Sequence, residues 1–341
     1  MNEKLNKMRA SLTALTNAGG ADPAYGSVEI DAKINRFIVD ASPKFNEISQ
    51  MIPRESLNGQ LSHIWRVRTT DNNSTVSGYS TSEGGSNTNT PAVGAKVQLT
   101  AVAKSARTDW EVENYFLAGS SSAYSAVSDE IMNALEVHMD NQEKEIINGA
   151  DTGSYGKAGN MDGFKQLVNS FVTIGNTDTI YGITRASGKT YMDARVVDGA
   201  AAAFELSFLD QALTAQKKVK GKPAYFLMSL ERQDEINAIL AAKQRFAGTL
   251  NLEGGFTVTT YRGTPLIGSV YADKLGAADT DTAILLIAKD NVVMKVLEPT
   301  QQVSTDLGRA DSVGGFIKDY QILVVKDLTK NVIIDDVAVP A

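Results

Sequence analysis

The most constraining feature of this chain is the stretch from His63 to Gly149: two strand-like arms around a long polar tip, then one unusually long helix. In the first arm, His63 to Thr70, Trp65, Val67 and Thr69 alternate with Arg66 and Arg68. In the second, Ala95 to Ala103, Val97 and Leu99 alternate with Lys96, Gln98 and Thr100. Period-two alternation marks half-buried strands. Between the arms, Asp71 to Gly94 is rich in Ser, Thr, Asn and Gly, and Asp71 and Glu83 are its only charged side chains. An isolated two-stranded ribbon is marginal in water, and a connection longer than about 12–15 residues is uncommon inside a compact domain. Such a ribbon is expected to lean on another subunit.

From Ser121 to Asn148 a helical stripe follows. Tyr124, Val127, Ile131, Leu135 and Met139 recur every three or four residues, and Ile146 and Ile147 resume it. At 1.5 Å per residue such a helix is roughly 40 Å long, longer than a small domain is wide. It reads as a spine, ended by Gly149 and a Gly-rich loop from Asp151 to Gly159.

Composition narrows the function. The chain has 341 residues and a net charge of −7, so it lacks the basic footprint of a nucleic-acid binder. It has no cysteine and two histidines, which excludes disulfides and thiol chemistry and leaves almost nothing for a Ser-His-Asp relay or a histidine metal site. No cofactor is expected. The longest apolar run, Ala283 to Ala288, is too short to cross a bilayer, and the N-terminus has no signal-peptide core, so no membrane partner is expected.

Before the hairpin, residues 1–30 read as an arm. A helical spacing over Asp31 to Phe37 and an apolar group, Phe45, Ile48, Met51 and Ile52, come next. Beyond the spine, Met161 to Val168 reads as a short helix, and Tyr181, Gly182 and Arg185 fall in a loop. Ser207-x-x-Asp210 reads as a capping box. Ala224 to Met228 is a strand, with Ser229 capping the following helix. Strands follow at Phe256–Thr260 and Thr264–Ile267. Thr282–Ala288 and Val292–Leu297 read as a hairpin, Gln301–Gly315 as a polar loop, and Ile317–Val325 and Val332–Ile334 as strands.

This order of parts resembles the major capsid proteins of tailed phages and related viruses, the Hong Kong 97-type fold. The extended loop matches Ile64 to Ala103, and the spine matches Ser121 to Asn148. Glu145-Ile146-Ile147-Asn148-Gly149 with the Gly-rich turn, and Tyr261-Arg262-Gly263-Thr264-Pro265-Leu266-Ile267, are similar to recurring family segments. The similarity spans about Asp31 to Asp336 and lies in order and spacing rather than in one motif.

The resemblance implies an α+β Hong Kong 97-type capsid fold. Its parts are an N-terminal arm (1–30), a peripheral domain (31–62 and 108–160), an extended loop (63–107) and an axial domain (161–280). A return to the peripheral sheet (281–341) contains the loop 301–315. The resemblance further implies a non-enzymatic shell subunit that partners itself in hexamers and pentamers. That shell encloses double-stranded DNA without sequence-specific binding, in a virion assembled in the host cytoplasm. Only about thirty residues precede Asp31, which implies a separate scaffolding protein or none; portal and decoration proteins are further partners. Alternatives are an encapsulin-like compartment and, from another class, an α/β enzyme with a carboxylate-based site.

The candidate inter-subunit contacts are Trp65, Arg66, Arg68, Tyr79, Glu83, Lys96, Lys104, Arg107, Glu136 and Glu143. The basic residues read either as a solvated face or as partners for spine-helix carboxylates of a neighbour. Trp65 and Trp110 also fit simple burial at strand positions. His138, with Asp140 and Glu143, reads as a solvated helix face, and His63 as a surface residue.

Overall fold

The computed structural model describes residues 47–69, 95–114, 123–149, 159–242, 248–251, 257–276, 282–306 and 312–340. The arm 1–30, the helix expected over Asp31 to Phe37, the hairpin tip Asp71 to Gly94 and most of the Gly-rich loop lie outside them.

A short helix, α1 (Glu47–Met51), leads to β1 (Arg54–Ser56). The ribbon then appears as β2 (Ser62–Arg68) and β3 (Lys96–Val102), antiparallel from Ser62↔Val102 to Arg68↔Lys96. One residue later β4 (Lys104–Glu113) begins, a ten-residue strand where the sequence reading had the end of the loop and a bridging segment. Its inward positions are the weak signal: Ala106, Thr108, Trp110 and Val112 alternate with charged residues.

The spine is α2 (Ala123–Ile147), 25 residues. Ile131, Leu135 and Met139 pack with Ala134 on Trp110 of β4 and on Ile317. Ile146 and Ile147 reach the main core. The helix ends at a close backbone crossing. A Cβ on Gly149 would sit 2.0 Å from the Gly163 nitrogen, and one on Gly163 2.5 Å from the Gly149 nitrogen. Gly149 is also left-handed, at φ 59°, so two glycines here are a steric requirement.

The elements α3 (Phe164–Leu167), α4 (Phe171–Ile174), β5 (Thr179–Ile180) and β6 (Ile183–Thr184) are short. The next are β7 (Arg195–Ala202), which sequence reading did not find, α5 (Leu206–Lys218) and β8 (Pro223–Met228). Then come α6 (Leu230–Ala242), β9 (Gly248–Asn251), β10 (Thr257–Tyr261) and β11 (Thr264–Gly268). The last strands are β12 (Ile284–Ala288), β13 (Val292–Asp306), β14 (Ser312–Val325) and β15 (Val332–Val337). Ser229 caps α6, accepting from the Arg232 N–H at 3.1 Å. The capping box at Ser207 does not form: α5 starts one residue earlier, Ser207 donates to Glu205, and Asp210 instead accepts from Tyr261 and Arg262.

Seven strands form one sheet in the order β7-β15-β12-β8-β11-β10-β9, and four form another, β1-β13-β14-β4. Alternate residues of the central strands enter different cores. Phe226, Met228, Ile284, Leu286, Val332 and Ile334 meet α5 and α6, while Tyr225, Leu227, Leu285, Ile287 and Ile333 meet the core that receives the end of α2.

Two expectations are corrected. β12 and β13 are not a hairpin: three residues apart, they enter different sheets, because β12 pairs with β8 and β15 while β13 pairs with β1 and β14. Consequently, of the 281–341 return, only β13 and β14 join the four-stranded sheet. The polar loop 301–315 is mostly strand, with β13 and β14 paired from Gln301↔Lys318 to Asp306↔Val313. Polar side chains suit a strand whose faces are half exposed.

Candidate assembly surface

The hairpin root is clamped to the body through its inner face. The Trp65 indole N–H donates to the Lys326 carbonyl at 3.1 Å. Its ring stacks on His63, centroids 5.4 Å apart, and meets Tyr181 edge-on at 4.9 Å. Tyr181 sits at the tight β5–β6 turn with φ 51°. Its hydroxyl accepts from the Val325 N–H (2.9 Å) and donates to the Leu323 carbonyl (3.0 Å). Its own carbonyl accepts from the Thr100 N–H of β3 at 3.3 Å. One side chain thus ties the ribbon to the end of β14. Burial, the dominant cause, pushes the Tyr181 phenol far above the usual range.

Arg185 supports this turn from below. Only 1% exposed, it donates to the carbonyls of Met192, Gln166 and Leu167 and to Asn176 Oδ1. Burial lowers its pKa to about 10, opposed by Asp193 and other nearby carboxylates, so the guanidinium stays charged at neutral pH. The loop expected at Tyr181 to Arg185 is therefore a buried anchor, which composition alone does not signal.

The outer face of the ribbon is different. Ile64 and Val102 are 54% and 52% exposed. Beside them Arg66, Arg68 and Lys96 are exposed, and Arg68 lies directly opposite Lys96. Like charges opposed across strands are destabilising. Among the described residues none of the three has a carboxylate partner.

Of the other candidates, Tyr79 and Glu83 lie outside the described residues. Trp65 faces its own body. Lys104 and Arg107 lie on β4, in the four-stranded sheet rather than the ribbon; Lys104 is exposed, and Arg107 pairs with Asp109 at 2.6 Å and covers the Phe316 ring. Glu136 is exposed on α2, on a face shared with Asp129, Asn133, Val137 and Asn141. Glu143 is withdrawn from the surface: it is 8% exposed and accepts from Ser269.

His138 is the clearest correction. It is 3% exposed, not solvated. Nδ1 lies 3.0 Å from Thr108 Oγ1, and Nε2 lies 3.3 Å from Asp319 Oδ2, near enough for a charge pair but not aligned as a hydrogen bond. Gln142 and Gln321 also donate to Asp319, and Arg54 and Ser49 donate to Gln142. This network joins α1, β1, α2, β4 and β14. The available signal was position: His138 lies three residues after Leu135 and four after Ala134, inside the apolar stripe.

A spine helix crossing a sheet, a strand ribbon projecting from the junction and a second, larger sheet flanked by helices form the frame against which known proteins are compared. The SU10 major capsid protein family matches residues 13–315. The chain belongs to that family. No curated protein matches it by sequence.

Solved structures agree on the fold. The capsid asymmetric unit of cyanophage A-1(L) superposes with a TM-score of 0.65 at 12% identity, over 85% of this chain and 92% of that one. The holo-SrpI encapsulin complex of Synechococcus elongatus PCC 7942 gives 0.58 at 16%, over 86% and 88%. Mycobacterium phage Bobi gives 0.54 at 13%, over 85% and 90%. The SU10-family chain thus has the α+β Hong Kong 97-type fold, and it is a major capsid protein, a structural component of the virion.

Proposed function

We propose that many copies of this chain build an icosahedral shell, in hexamers and pentamers, around the double-stranded DNA genome of a tailed phage or related virus. The outer face of the hairpin is laid on the outer face of a neighbour's α2. The observation that carries the contact is the opposed pair Arg68 and Lys96, with Arg66, on a face that also exposes Ile64 and Val102. The exposed face of α2 offers the complement, Asp129 and Glu136 beside Val137. Lys104 extends the basic surface. A net charge of −7 suits a shell that holds DNA without gripping it. The subunit carries no catalytic role; its partners beyond itself are scaffolding, portal and decoration proteins, met in the host cytoplasm.

Removing residues 71–94 should leave folded subunits that fail to close, and normal shells by electron microscopy refute the contact. Arg66→Glu with Arg68→Glu should likewise block assembly, with partial rescue by Glu136→Arg. The likeness to an encapsulin supports a second reading, a compartment around a cargo protein. Nuclease-protected genomic DNA inside purified particles selects the virus, and a protein cargo selects the compartment.

A further inference from the structure

The chain carries a net charge of −7, yet its basic residues are not spread evenly. One end of the seven-stranded sheet, where β8 and β15 begin and β12 finishes, gathers lysines from separate turns. Lys217 and Lys218 end α5, and Lys220 and Lys222 lie in the turn to β8. Lys289 lies in the turn from β12 to β13. All five are exposed.

Main-chain hydrogen bonds hold these turns together. The Lys289 N–H donates to the Lys222 carbonyl at 2.8 Å, and Pro223 lies opposite Ala288. The turn between β14 and β15 joins both. Its Lys330 carbonyl accepts from Gln216 at 3.1 Å, and its Asn331 Oδ1 accepts from the Ala288 N–H at 3.0 Å. The lysines therefore stand on one fixed frame. Of the carboxylates in these turns, Asp327 pairs with Lys330 at 3.5 Å, and Asp290 is exposed. Among the described residues none of the five lysines forms an ion pair. Cations suit the last turn of a helix, which accounts for Lys217 and Lys218, but that effect falls off before Lys222 and does not reach Lys289. Like charges gathered without a counter-charge repel one another, and an external polyanion relieves this.

We propose that this lysine cluster is where the shell subunit rests on the phosphate backbone of the enclosed DNA duplex, without reading its sequence. The inference rests on the shell reading and concerns a different surface from the hairpin contact. Phosphates spaced along a duplex call for point charges spread over a surface, which lysine supplies without the fixed fork of arginine. A protein partner fits less well. Interface cores are depleted in lysine and anchored by aromatic or arginine side chains, and among the described residues no exposed large apolar side chain lies in these turns. The acidic balance of the rest of the chain confines the contact to this end.

Titration of the unassembled full chain with a short fluorescent DNA duplex, repeated as salt is raised, tests this. If all five lysines meet phosphates, log affinity should fall against log salt with a slope of about −4.5, the same for duplexes of unrelated sequence. Lys218→Gln, Lys222→Gln and Lys289→Gln together should make that slope shallower by about 3. A wild-type slope from that triple variant overturns the proposal. Acetylation of the wild-type chain needs no variant: Lys218, Lys222 and Lys289 should react more slowly when duplex is bound, and unchanged labelling overturns the proposal. No duplex binding at low salt, or tighter binding of poly-glutamate than of duplex, overturns it in favour of an acidic protein partner and leaves the shell reading standing. Purified particles that protect a protein cargo and no DNA overturn both.

Discussion

Two buried tyrosines make a matched experiment. Tyr181 and Tyr225 are 5% and 4% exposed, and burial pushes both phenols upward. Among the described residues, the Tyr181 hydroxyl satisfies the Leu323 carbonyl and the Val325 N–H, whereas the Tyr225 hydroxyl has no partner there. Tyr181→Phe removes one oxygen and leaves the ring against Trp65. It strands two backbone groups in a core where Leu323 and Val325 are both 0% exposed. Each buried unsatisfied group costs about 1–3 kcal/mol, and a lost hydroxyl leaves too little room for a replacement water. The substitution should therefore destabilise by about 2–6 kcal/mol. With an unfolding entropy of about 2.1 cal/mol/K per residue, 3 kcal/mol over a chain of 341 residues lowers the melting temperature by about 4 °C. Tyr225→Phe should be neutral or stabilising by up to about 1 kcal/mol, since it deletes an unmet polar group. Calorimetry of the unassembled subunit measures both, and exchange at the Val325 amide localises the first. Equal shifts for the two variants, or a Tyr181→Phe shift under about 1 °C with Val325 exchange unchanged, refute the clamp.

Other outcomes follow from the same geometry. Gly163→Ala places a methyl group 2.5 Å from the Gly149 nitrogen and should lower stability by at least about 3 kcal/mol, read by thermal melt, because backbone and not a flexible side chain must move. Arg185→Lys keeps the charge but cannot reproduce four separate donations; a loss of about 2–4 kcal/mol in urea denaturation is expected. Burial, helped by Asp319 and opposed by His138, raises the Glu145 carboxyl. A raised carboxyl costs stability where it is ionised, so its penalty is relieved as pH falls through the folded value toward the ordinary carboxylate range. Glu145→Gln should accordingly raise the melting temperature above the folded value and flatten its dependence on pH between the folded value and the ordinary carboxylate range; an unchanged pH profile refutes the assignment.

Much of the architecture was legible in the residue pattern. Alternation at Trp65, Val67 and Leu99 placed the ribbon, and the stripe through Ile131, Leu135 and Met139 placed the spine, because both periods are local properties of backbone geometry. The exposed basic face of the hairpin was readable too, since Arg66 and Arg68 could only oppose Trp65 and Val67. Polarity alone makes Glu143 and His138 read as solvated, whereas their positions in the stripe place them inside. Both lie on turns of α2 that a second element covers, and their partners Ser269, Thr108 and Asp319 come from distant segments.

Local sequence, then, determined where strands and helices form and which face of each is apolar. Only the tertiary structure decided which strands pair. β12 and β13 are three residues apart and both apolar at their facing ends, yet one enters the seven-stranded sheet and the other the four-stranded sheet. That choice rests on main-chain hydrogen bonds to β8, β15, β1 and β14. Those bonds carry no side-chain signature, so the partners of β12 and β13 are visible only once every other described strand has found its neighbour.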